Sequence, residues 1–84
     1  MTIYPNPASD EFHIQFDYNS LDRAASAKLE IYNVLGQLMM SVDSEELVSG
    51  INSMTIDVSK YRAGTYFVKL NTGLNTSTRT LIIQ

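Results

Sequence analysis

The feature that most limits what this chain can fold into is the two-residue period of its apolar side chains, repeated segment after segment. Phe12, Ile14 and Phe16 alternate with His13, Gln15 and Asp17, and Leu29 and Ile31 alternate with Lys28, Glu30 and Tyr32. Leu38, Met40 and Val42 repeat the pattern, followed by Met54, Ile56 and Val58 and by Tyr66, Val68 and Leu70. Successive side chains of a strand point to opposite faces, so this period gives strands with one buried face each. A helix would need its apolar residues three and four apart, and no sustained stripe of that kind exists. Ser20 to Ala27 holds local helix formers and supports at most a single turn.

Turn chemistry separates the runs. Asn33-Val34-Leu35-Gly36 reads as a tight hairpin with Gly36 at positive φ, and Asn71 to Thr76 as a second hairpin loop. The longer stretches Tyr18 to Ser26 and Asp43 to Gly50 suit crossings between sheets, as a Greek key requires. Pro5 and Pro7 each fix φ and lack an N–H donor, so no sheet runs through them, but Ile3-Tyr4 before them can form a first short strand. The final run Leu81-Ile82-Ile83 is continuous, so alternation does not say which side chains face in. The expected fold is all-β: one domain over residues 1–84, an Ig-like antiparallel sandwich of about seven strands. Its expected core is Phe12, Ile14, Phe16, Leu29, Ile31, Leu38, Met40, Met54, Ile56, Val58, Tyr66, Val68 and Leu70.

Composition excludes several kinds of function. The formal net charge is −3, and the six cations are scattered, so there is no basic face for nucleic acid and no polybasic patch for a membrane. No cysteine is present, which removes disulfides and thiolate zinc sites. No apolar stretch approaches the about 20 residues of a transmembrane helix, so direct membrane insertion is not expected. Met1 to Tyr4 lacks the regions of a signal peptide; if the protein is exported, the chain is expected to be a piece of a longer precursor with its leader at the far end.

Catalytic candidates are few. His13 is the single histidine, with Gln15 and Asp17 on the same outward face; it reads as an exposed strand residue rather than a general base. No G-x-S-x-G elbow accompanies any serine. Two loops group acidic residues, Asp43 with Glu45 and Glu46, and Asp17 with Asn19 and Asp22, but neither has the glycine-containing spacing of a calcium loop. No catalytic residue, metal site or cofactor is assigned. Tyr66 falls just after a sheet-to-sheet crossing, where a tyrosine corner would place its ring in the core and its hydroxyl on a backbone group upstream. Tyr4, Tyr18, Tyr32 and Tyr61 would make a glycan platform only if several shared one exposed face.

Four segments in order carry a resemblance: Tyr4-Pro5-Asn6-Pro7, Ile31-Tyr32-Asn33-Val34-Leu35-Gly36, Tyr61-Arg62-Ala63-Gly64-Thr65-Tyr66 and the closing Thr80-Leu81-Ile82-Ile83. Across nearly its whole length the chain resembles the type A C-terminal sorting domain of the type IX, or Por, secretion system of certain Gram-negative bacteria. It departs from that pattern at Tyr61, where Leu is commoner, and at Thr80, where Lys is frequent, leaving Arg79 as the cation of the last segment. The resemblance implies a non-catalytic sandwich that follows an N-terminal cargo domain. It also implies recognition in the periplasm by the type IX machinery, removal by a sortase-like peptidase, and delivery of the cargo to the cell surface or medium. Candidate sorting residues are Pro5, Asn6, Pro7, Gly36, Gly64, Tyr66, Arg79, Leu81, Ile82 and Ile83. The terminal strand Ser77 to Gln84 is expected at a sheet edge, offering unpaired backbone groups to a partner. The rival reading is a carbohydrate-binding or adhesive spacer module of a cell-surface protein, since such folds would be alike.

Overall fold

A computed structural model describes residues 1–18, 26–44, 47, 49–72 and 76–84. Seven strands follow in order: β1 (Thr2–Tyr4), β2 (Glu11–Tyr18), β3 (Ala27–Asn33), β4 (Leu38–Ser44), β5 (Gly50–Asp57), β6 (Gly64–Asn71) and β7 (Thr76–Ile83). No helix occurs among the described residues; of the stretch Ser20 to Ala27, which supports at most a single turn, residues 20–25 lie outside them and Ala27 opens β3. The strands form two antiparallel sheets, β1-β2-β5 and β4-β3-β6-β7. The chain changes sheet between β2 and β3, between β4 and β5, and between β5 and β6. That is the interlocked pattern of an Ig-like sandwich.

Burial follows the alternation because each sheet can hide one face only. Phe12, Ile14 and Phe16 of β2, and Ile56 of β5 with Val58 just beyond it, face Leu29, Ile31, Tyr66, Val68 and Leu70 of the other sheet in one core. The ambiguity of the last strand is resolved: Leu81 and Ile83 are buried and Ile82 is half-buried on the outer face. Ala8, outside any strand, is also buried. Met40 and Met54 are half-buried against the core.

Leu38 is a correction. It is 52% exposed and belongs to the outer face. The pairing of β3 with β4 runs Ile31 to Met40 and then Tyr32 to Leu38, so Met39 is an extra residue in a β-bulge. The bulge shifts the period by one and turns Leu38 outward beside Tyr32. The interrupted ladder leaves the Met39 carbonyl open to the Tyr61 hydroxyl, which donates to it at 3.0 Å. Leu38→Thr is therefore expected to change stability by no more than about 0.5 kcal/mol, against about 2–5 kcal/mol for Ile31→Ala. Urea unfolding of the two variants checks this; a Leu38→Thr loss approaching that of Ile31→Ala would put Leu38 back in the core.

Candidate functional site

The four segments singled out in the sequence meet at one end of the four-stranded sheet. Asn33 of β3 lies opposite Tyr66 of β6, Tyr66 lies opposite Leu81 of β7, and Gly64 lies opposite Ile83. On the far side of β7 the segment Pro5–Ala8 runs alongside, with Ala8 in a parallel bridge to Ile83. Segments separated by up to 76 residues of chain thus become four adjacent ribbons. The Tyr4–Pro5 and Asn6–Pro7 peptide bonds are cis.

Each segment has a local reason for its residues. Asn33 organises the β3–β4 turn: its side-chain oxygen accepts from the backbone N–H of Leu35 at 2.9 Å and of Gln37 at 3.0 Å. Gly36 then closes the turn with φ of 80°, a conformation costly for residues with a Cβ, and donates its N–H to the Asn33 carbonyl. Gly36 thus serves the β3–β4 turn rather than the pairing around β7. The expected tyrosine corner is present: the Tyr66 hydroxyl donates to the Arg62 carbonyl at 2.8 Å while its ring is buried. Tyr61 stacks on Tyr66 with centroids 5.8 Å apart, and burial followed by the neighbouring Tyr66 pushes the Tyr61 phenol above its ordinary range.

The β7 edge is where expectation and structure diverge in detail. β7 is an edge strand, as expected, but its C-terminal half is not bare. Asn6 uses its side-chain amide twice: Nδ2 donates to the Thr80 carbonyl at 2.9 Å, and Oδ1 accepts from the Ile82 N–H at 2.9 Å. Ala8 continues the pairing, its N–H donating to the Ile82 carbonyl and its carbonyl accepting from the Gln84 N–H, both at 2.8 Å. Further along, the Arg79 guanidinium folds back to donate to the Thr78 carbonyl at 3.0 Å. The role of Asn6 as a substitute peptide group could not be read from Y-P-N-P, because it depends on which strand ends up beside it.

The other candidates disperse. His13 Nδ1 is 2.9 Å from Thr55 Oγ1, and its ring lies 5.2 Å from that of Tyr4 on the outer face of the three-stranded sheet. Glu11 is 3.9 Å from Nε2, and the Thr55 hydroxyl beside the ring stands on an exposed strand face. Tyr32 stands on the outer face of the opposite sheet, donating to Glu30 at 2.9 Å, a bond that raises its phenol above the usual range. Tyr4, Tyr32 and Tyr61 therefore do not share a platform. The carboxyl of Asp57 is held below the usual range by the side chain and backbone N–H of Ser59, a turn interaction. Glu45, Glu46, Asn19 and Asp22 lie outside the described residues, and among those described no three acidic or histidine side chains converge.

The sequence profile of the secretion-system C-terminal sorting domain matches residues 2–84. The chain belongs to that family. As a member, this sorting domain is a C-terminal signal of the type IX secretion system. The match covers all four ribbons at the end of the sheet, so the segments that the sequence pattern picked out are structural neighbours within one family domain. No curated protein matches the chain.

Proposed function

We propose that the domain acts without catalysis, as a folded tag at the end of an exported precursor whose N-terminal part is the cargo. Its partners on this reading are protein components of the type IX machinery met in the periplasm, and a sortase-like peptidase that removes the tag as cargo reaches the surface or medium. The observation that supports it is the convergence of the motif segments on backbone pairing and core packing at one end of a sandwich, rather than on a cleft with a nucleophile and base. A residue pattern spent on shape and strand pairing suits recognition by another protein.

A reporter enzyme carrying residues 1–84 at its C-terminus tests the reading. It should reach the medium or cell surface in cells with a working type IX system and stay in the periplasm of cells lacking it. Moving the domain to the N-terminus of the reporter should abolish export, because a sorting tag depends on position and a spacer does not. Equal export with and without the pathway, or periplasmic retention in competent cells, would refute the proposal.

A further inference from the structure

We propose that Pro5–Ala8 is an intramolecular latch, and that the β7 edge it covers is a docking site for an extended segment of a partner protein running parallel to β7. The inference goes beyond the sorting role and does not depend on which protein carries the segment. Its basis is that the edge already holds a parallel segment, the chain's own: the Ala8–Ile83 bridge is parallel, and four hydrogen bonds join Asn6 and Ala8 to Thr80, Ile82 and Gln84.

The latch is replaceable because of how it is built. Two of its four bonds come from the Asn6 side chain, and the residues on either side, Pro5 and Pro7, have no N–H to add. A partner strand would supply the same donor and acceptor from backbone, so exchange conserves the hydrogen-bond count over the covered stretch. Beyond it lies uncovered edge. Thr80 and Ile82 point backbone groups away from β6, and a strand alternates, so the N–H groups of Thr78 and Thr80 point outward too. Neither donor meets a partner among the described residues. An incoming segment can pair there first and then take over from Asn6 and Ala8, gaining bonds that the latch never makes.

The site also specifies what fits. Ala8 is 1% exposed within the core, so the partner must present a small side chain opposite Ile83. Arg79 has no carboxylate within ion-pair reach among the described residues and uses its guanidinium to cover the Thr78 carbonyl. An acidic residue on the partner would draw the guanidinium off that carbonyl and open it to a backbone donor. The segment is therefore extended, carries an acidic residue near its start, and carries a small residue near its end.

The test uses the full chain and a soluble probe peptide of alternating threonine and glutamate that ends in alanine. Amide hydrogen exchange should show Ile82 exchanging at least about tenfold faster in Asn6→Ala than in the parent, with Leu81 and Ile83 still protected by β6. The probe should bind Asn6→Ala at least about tenfold more tightly than the parent, newly protecting the Thr78, Thr80 and Ile82 amides. Asn6→Asp keeps the acceptor for Ile82 but loses the donor to Thr80; it should bind with intermediate affinity, and it carries the test if Asn6→Ala fails to fold. Folded variants that bind no better than the parent would overturn the proposal, as would protection appearing on β4 or β5 instead. A concentration-dependent dimer of the variant would assign the edge to a second copy of the chain and equally overturn it.

Discussion

Removing Leu81 to Gln84 is expected to leave a chain with no cooperative unfolding transition at 25 °C. Leu81 and Ile83 are buried at 0% and 3% exposure and belong to the single core cluster. Truncating one such residue to alanine costs about 2–5 kcal/mol, and losing both approaches the about 5–15 kcal/mol that holds an ordinary domain together. The deletion also strips the partners of Ala8, whose own burial depends on the bonds to Ile82 and Gln84. Circular dichroism against temperature checks the result; a sharp transition near that of the parent would show that the terminal strand is dispensable for folding. A reporter fused to the deleted domain is expected to lose export, and that loss reports unfolding as much as recognition. Ile82→Thr separates the two, since Ile82 is half-buried on the outer face and keeps its backbone bonds when the side chain changes.

Ile82→Pro addresses a different question. The Ile82 N–H is not idle at an open edge but donates to Asn6 Oδ1, so proline there breaks one half of the latch. The expectation that β7 lies at a sheet edge agrees with the sheet order β4-β3-β6-β7. Sequence pattern could not show the cover on that edge, because the cover comes from a segment more than 70 residues away, held by a side-chain amide rather than by a strand.

The same distinction explains what else was legible. Strands β2, β3, β5 and β6 announced their faces through alternation, and the structure buries those faces as read. Leu38 misled because alternation assumes an unbroken ladder, whereas one inserted residue at Met39 reverses every face before it. Ala8 escaped notice because a small residue between proline-rich and polar neighbours carries no periodic signal. Its burial follows from pairing with β7. Function was legible through motif order alone. Asn33, Tyr66 and Asn6 each make backbone-directed hydrogen bonds, and no reaction chemistry marks them.

Tyr66 gives the sharpest separation between hydrogen bonding and packing. Tyr66→Phe removes the bond to the Arg62 carbonyl but keeps the ring against Tyr61 and the core. Arg62 is exposed, so water can take up the abandoned carbonyl, and the cost should stay near about 1 kcal/mol, or about 4–8 °C in Tm. Tyr66→Ala removes the ring as well and should cost about 3–5 kcal/mol, enough to unfold much of the population of a small domain. The effect should spread along a defined path. Tyr66 lies opposite Leu81 on one side and Asn33 on the other, so the vacancy undercuts β7 at the point where the latch also holds it. The Leu81 and Ile83 amides should then lose protection before those of β2 in native-state exchange, because β2 is anchored in the other sheet by β1 and β5. Equal Tm losses for the phenylalanine and alanine variants would show that the ring contributes nothing beyond its hydroxyl. Loss of β2 protection together with β7 would show that the sandwich opens as a single unit.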